Sequence, residues 1–380
     1  FFSSSASQMP ALSQVDTYGF VDATSGGIPL VVAVAACHQG QSKRGVDHSW
    51  QALLSDSCMT QAMFVDFRDT RKFKDPVKGS VLLSRNLEVA AEVAHNEHGR
   101  DAAVLTLGGD HTISIGTVLA TRKRNPDTRV VWIDAHADIN TPCSSLSGNC
   151  HGMPMAHLCG FVGDFPMVHP LQPHEIVYIG LRSIDAVEQV RLDTLKARGA
   201  CIYLASDVHA RGIHSILQEV SVAWGPRGCD GRFAFPIHVS LDVDSMDPEY
   251  TPATGTPVPG GLTPEHVRAV LKWCNAAAGH GICHLDICEL NCYLSTALGA
   301  AKSVHNTSRV LDAWITSHPL VASARGDGCS FESARPTEGG RQSPEGSASS
   351  AGPTDEDSES RRESIDSVWG HMDTLSSYQI

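Results

Sequence analysis

Val130-Val131-Trp132-Ile133-Asp134-Ala135-His136-Ala137-Asp138-Ile139-Asn140 begins as an apolar, β-branched run and ends in acid, imidazole and acid at every second position. The first half has the composition of a strand buried on both faces. An extended chain repeats every two residues, which aims Asp134, His136 and Asp138 at one side. Two carboxylates and an imidazole at a buried strand end need compensating positive charge. A metal ion is its simplest source. For a lone D-x-H pair a merely solvated strand end would be the first reading; for D-x-H-x-D it is the lesser one.

Working outward, the same arrangement recurs on either side. Residues 102–107 form a short apolar strand that ends in Gly108-Gly109-Asp110-His111, where two glycines allow a sharp turn and a close backbone approach. Residues 236–241 form another, ending in Asp242 and Asp244, again two apart. A further strand over 281–287 ends in Asp286 and Glu289. Strands are also expected at 28–36 and 176–180, and a β-α unit over 201–220. Helices are expected from His48 and over 81–97, 112–121 and 296–315, with one more that Thr263 caps and Pro264 opens. Strands alternating with helices argue a single open, mostly parallel sheet with helices on both faces. The polar motifs all fall at strand C-termini, where such folds bind ligands.

Three segments are expected: a flexible N-terminal stretch over 1–25, one α/β domain over 26–320, and a disordered tail over 321–380. The tail holds thirteen serines, eleven acids and five arginines, a composition that cannot repay its ordering entropy. It carries -6 of the chain's formal charge of -13, which speaks against nucleic acid as a partner. No apolar run approaches the roughly 18 residues of a membrane span. Twelve cysteines without a C-x-x-C pair read as reduced thiols of a cytoplasmic protein. The chain opens on Phe1 and a Ser-rich segment, so it reads as a fragment or processed form, mitochondrial if a transit peptide preceded it.

Counting ligands decides the chemistry. His111, Asp134, His136, Asp138, Asp242 and Asp244 supply two imidazoles and four carboxylates, too many for one zinc and suited to two ions sharing carboxylates. Oxygen-rich, thiol-free ligation favours manganese. Two such ions about 3.5 to 4 Å apart supply hydroxide at neutral pH, which implies metal-assisted hydrolysis. The loop over 141–152, small and polar, offers candidate substrate contacts, with a plain turn as the bland alternative.

These residues resemble the ureohydrolases, and within them the arginases, from about Arg44 to Glu289. Four blocks carry the resemblance: LTLGGDHTISIG, WIDAHADINTPCSSLSGNCHG, SLDVDSMDPEYTPATGTPVPGGLT and LDICEL. It implies a three-layer α/β/α sandwich around a parallel sheet. It also implies two Mn²⁺ per subunit, one held by His111, Asp134, Asp138 and Asp242 and one by Asp134, His136, Asp242 and Asp244. A bridging hydroxide would attack the guanidinium carbon of L-arginine, giving L-ornithine and urea. Glu289 matches the carboxylate that grips the guanidinium, Thr256 a polar neighbour of it, and His151 the proton shuttle. D-I-N-T-P followed by S-G-N-x-H-G looks like arginase rather than agmatinase, with Asn140, Ser147 and Asn149 donating to an α-carboxylate. Asp185, and Glu188 through water, match the α-amino contacts. The resemblance further implies a homotrimer or hexamer. An enzyme acting on agmatine or another guanidino compound is the second reading, and a non-catalytic scaffold of the same fold the third.

Three departures from the arginase pattern stand out. Ser183 replaces an Asp, Asn291-Cys292-Tyr293 replaces Asn-Pro-Ser, and GVDHSW replaces GVExGP. They predict altered α-amino binding and an altered backbone near Glu289.

Overall fold

The computed structural model describes residues 30–56, 63–66, 74–99, 101–163, 165 and 169–318. The stretches expected to be flexible, 1–25 and 321–380, lie outside them.

Eight strands form one sheet: β1 (Leu30–Ala35), β2 (Met63–Asp66), β3 (Ala103–Gly108), β4 (Arg129–Ile133), β5 (Ile176–Leu181), β6 (Cys201–Leu204), β7 (Ile237–Asp242) and β8 (Cys283–Cys288). Their order is β2-β1-β3-β8-β7-β4-β5-β6, and every neighbouring pair is parallel. The apolar runs are buried on both faces because helices cover both. Along β1, Leu30, Val32 and Val34 pack with Trp50 and Leu53 of α1 (Trp50–Asp56), in the core that also holds α8 (Pro264–Ala277) and α9 (Ala297–Ser317). Val31, Ala33 and Ala35 point the other way, onto Leu83 and Leu87 of α2 (Pro76–His98) and Ile113 of α3 (Ile113–Arg124). Farther along that second face, Trp132 and Tyr178 pack against α4 (Pro154–Leu158) and α5 (Ala186–Ala197). The result is the expected three-layer sandwich.

Local signals set the boundaries. Asp75 accepts from Val77 N and Lys78 N, and Pro76 stands at the first helical position, so α2 begins before the predicted residue 81. Thr263 Oγ1 accepts from His266 N, as its place before Pro264 predicts. The unit predicted at 201–220 carries two helices, α6 (Ala205–Arg211) and α7 (Ile213–Trp224), broken at Gly212 with φ 79°. The cysteines among the described residues are free. No helix among those residues is long and apolar enough to cross a membrane.

Five of these strands, β1, β3, β8, β7 and β4, are adjacent at the middle of the sheet. Because they are parallel, their carboxyl ends share one edge. The loops carrying His111, Asp134–Asn140, Asp242–Asp244 and Glu289 leave from that edge.

Candidate active site

His111 stands three residues beyond the end of β3 and is wholly buried. Gly109 lets the turn close: a Cβ there would stand 1.7 Å from the carbonyl oxygen of Cys37. The imidazole stacks on Trp132, with ring centroids 4.1 Å apart and planes 12° from parallel. Its Nε2 lies 2.9 Å from Ser240 Oγ, which aims Nδ1 at the carboxylates. There Asp138 Oδ2 is at 3.0 Å, Asp134 Oδ2 at 3.1 Å and Asp242 Oδ2 at 3.4 Å. No hydrogen bond of acceptable geometry satisfies Nδ1. A buried imidazole nitrogen ringed by carboxylate oxygens, none of them in line with it, is placed as a metal ligand is.

The two D-x motifs are built alike, and not by strand alternation. β4 ends at Ile133, and Asp134 Oδ1 accepts from the amide of His136 at 2.7 Å. β7 ends at Asp242, whose Oδ1 accepts from the amide of Asp244, also at 2.7 Å. Each aspartate closes a turn on the residue two further on. Asp138 then reaches His111 from a left-handed backbone, φ 50°. The residues converge as expected, but the period-two argument is corrected: turns and one strained residue bring them together.

His136 Nδ1 lies 3.2 Å from Asp244 Oδ2 and 3.5 Å from Asp134 Oδ1. Among the described residues, His111, Asp134 and Asp242 form one potential ligand group, and Asp134, His136 and Asp244 a second that shares Asp134. Electrostatics agree. Burial and the neighbouring Asp134 charge push Asp138 up to about 6. Burial, Asp244 and Asp134 push Asp242 well above the usual carboxylate range. Burial disfavours a charged His136, yet Asp244 and Asp134 drive it up to about 12. This is a site short of positive charge, which divalent cations on oxygen-rich ligands relieve. The donor set therefore fits metal. A third group, His111, Asp286 and Cys288, lies behind His111. Asp286 was expected at the strand end beside Glu289; it is instead occupied by His238 Nε2 at 3.0 Å and by the Thr117 hydroxyl.

Glu289 leaves β8 with φ 66° and is 1% exposed. Oε1 accepts from the His111 amide at 2.9 Å and lies 3.0 Å from His151 Nδ1. Oε2 accepts from Gln41 Nε2 at 2.6 Å. Burial opposes its charge, but the bonds from His151 and the His111 amide outweigh it and keep Glu289 below its usual range. Burial likewise opposes charge on His151, and Glu289, Asp138 and Asp110 push it up to about 9. Thr256, expected beside the guanidinium, donates to Asp244 Oδ2 at 2.8 Å.

The remaining residues form a rim. Asn140 Nδ2 donates to Asp185 Oδ2 at 2.6 Å, and Ser144 Oγ donates to Asn140 Oδ1 at 2.8 Å. Asp185 caps α5, accepting from Val187 N and Glu188 N, while Glu188 Oε2 takes the Asp185 amide in return. Ser147 is exposed and accepts from the Asn149 amide at 3.2 Å. Sequence reasoning missed Arg191, whose guanidinium donates to Ile139 O at 2.8 Å and Ser144 Oγ at 3.0 Å and ties the rim to α5. It also missed Gln41, because no local pattern links residue 41 to residue 289.

Two of the departures meet. The Cys292 amide donates to Ser49 Oγ at 3.0 Å, a bond that a proline at 292 has no N–H to make. The His48 and Tyr293 rings lie 6.0 Å apart, centroid to centroid.

A parallel α/β sandwich with a carboxylate and imidazole cradle at its carboxyl edge defines the class: a metal-dependent hydrolase of the ureohydrolase type. Residues 29–311 match the model of the arginase family, and the chain belongs to that family. It is 34% identical over 296 residues to mitochondrial arginase-2 of Rattus norvegicus, covering 72% of this chain and 80% of that protein. It is 40% identical over 306 residues to the arginase of Coccidioides immitis, covering 73% and 91%. The structure of Entamoeba histolytica arginase in complex with L-ornithine superposes with a TM-score of 0.62 at 25% identity, covering 75% of this chain and 99% of that one.

Proposed function

We propose that the chain is a dimanganese arginase that hydrolyses L-arginine to L-ornithine and urea. His111, Asp134, Asp138 and Asp242 would hold one ion, and Asp134, His136, Asp242 and Asp244 the other. When bound, the ions would neutralise the carboxylates and lower the pKa of bound water from 15.7 to about 7. Glu289, ionised and held on three sides, binds the guanidinium and fixes its carbon over the cradle. His151 keeps a proton on Nδ1 toward Glu289, leaving Nε2 to deliver one to the departing amine. Asn140, Ser147 and Asn149 receive the α-carboxylate, and Asp185 and Glu188 the α-amino group.

The observation that carries the reading is the direct join between the cradle and Glu289: His111 bonds Glu289 through its backbone and faces three acids through its ring. A group that grips a guanidinium is thereby fixed beside the metal ligands. Agmatine is the second reading, favoured by one feature: Asn140 and Asp185 already satisfy each other at 2.6 Å. Homotrimeric or hexameric assembly belongs to the same proposal and is read by light scattering.

The test is urea release from Mn²⁺-loaded protein, with L-arginine and agmatine side by side and a chelated control. Chelator-sensitive urea from arginine is the expected result. Preference for agmatine would reassign the rim, and urea from neither would overturn the reading.

A further inference from the structure

We propose that Gln41 is a second guanidinium-binding residue, its side-chain oxygen accepting an N–H of the substrate beside Glu289. The proposal rests on the arginine reading above.

Glu289 alone is a poor match for a guanidinium. Oε1 already receives the His111 amide and His151, and Oε2 receives Gln41 Nε2. Two lone pairs per oxygen leave one open direction, on Oε2. A guanidinium presents several N–H groups in one plane and is best met by two adjacent acceptors. Gln41 supplies the second. Its amide must turn Nε2 toward Glu289, because the flipped form would press an oxygen against an ionised carboxylate at 2.6 Å. That orientation leaves Gln41 Oε1 facing away from Glu289, enclosed and without a hydrogen-bond partner. A buried amide oxygen left unpaired is costly and rare, and here it borders the place where a donor-rich group must sit.

Gly255 shows that the two oxygens share that place. A Cβ on it would stand 3.2 Å from Gln41 Oε1 and 3.7 Å from Glu289 Oε2. The residue opposite the pair is one whose lack of a side chain keeps both acceptors reachable. The loop that carries Gln41 is anchored on both sides of the site. The Gly40 amide donates to Asp110 Oδ2 at 2.8 Å, and the Gly40 carbonyl accepts from the His151 amide at 3.1 Å. Lys43 bonds the Gly255 carbonyl.

The test is Gln41→Leu, nearly isosteric but without an acceptor, with Gly255→Ala as an independent probe from the opposite side. Steady-state kinetics on L-arginine are read with inhibition by L-ornithine, which lacks the guanidinium, and with bound Mn²⁺. The expected result is a KM for arginine raised roughly 10- to 100-fold in Gln41→Leu. Ornithine inhibition stays within about 2-fold and metal content is unchanged. Gly255→Ala shifts KM in the same direction. An unchanged arginine KM in Gln41→Leu, or equal losses for arginine and ornithine, would overturn the proposal. Wild-type protein that releases no urea from arginine would overturn the earlier reading together with this one.

Discussion

His111 and Asp134 have no exposed surface, whereas on the rim of the same candidate site Ser147 is exposed, beside a Leu146 that is 99% exposed. In the cradle, three of the carboxylates are tied to the fold as well as facing an imidazole: Asp134 accepts from Trp132 Nε1 and the His136 amide, Asp242 from the Asp244 amide, and Asp244 from the Ala135 amide. These partners hold the cradle's side chains in place before anything binds. In the rim, buried Asn140 bonds Asp185 and half-buried Ser144, while exposed Ser147 accepts from the Asn149 amide within reach of water. Such bonds exchange at small net cost. The difference teaches that the charge arrangement of the cradle is committed at folding, while the hydrogen bonds of the rim are adjustable.

The sharpest way to break the comparison is Asp134→Ala. Loss of an orienting partner alone lowers metal affinity about 10- to 100-fold, so loss of a shared ligand should exceed about 100-fold in both bound Mn²⁺ and urea release. Full metal content with full activity would leave the cradle without its assigned role. His151→Asn comes next. Its kcat should fall by about 100-fold with bound metal unchanged, measured by stopped assay and elemental analysis. A parallel loss of metal would make His151 part of the cradle.

On the rim, the Ser147→Ala, Asn149→Ala double variant should raise the KM for L-arginine about 3- to 10-fold and leave metal content and melting temperature as they are. A loss as large as that of Asp134→Ala would erase the contrast between the two regions. The smallest effect is one of pH. Burial pushes Glu188 up to about 7; the Asp185 and Ile139 amides oppose this, and the charges of Asp138 and Asp185 add to it. Between an unfolded value of about 4.3 and that folded value, the native state binds more protons, so stability falls as pH rises through the window. Glu188→Gln has no proton to lose. Its melting temperature relative to wild type should therefore rise from pH 4.5 to about 7 and level off above. A difference that does not change with pH would mean that Glu188 is charged throughout.

Much of the cradle could be read from the chain because each ligand belongs to a short local motif at the end of an apolar run. His111 comes just after Gly108-Gly109, Asp242 ends β7, and Asp134 and Glu289 follow β4 and β8. The reason offered for their convergence did not hold, since alternation along a strand is not what aims His136 or Asp138. Turns closed by aspartate side chains do so, and a positive φ at Asp138 completes the set. Thr256 shows the opposite limit. Its position beside the site was legible, but its partner, Asp244, depends on how the connection between β7 and α8 folds back on itself.

The sequence by itself determined the class of fold, the family and the oxygen-rich character of the candidate centre, because composition and motif spacing are local properties of the chain. Only the tertiary structure decided how those side chains are used. It turned Asp286 away to His238, engaged Glu289 on three sides, set the Cys292 amide against Ser49 and put Gln41 beside Glu289. These are contacts between segments far apart in the chain. They follow from strand order and loop packing, which no local pattern encodes.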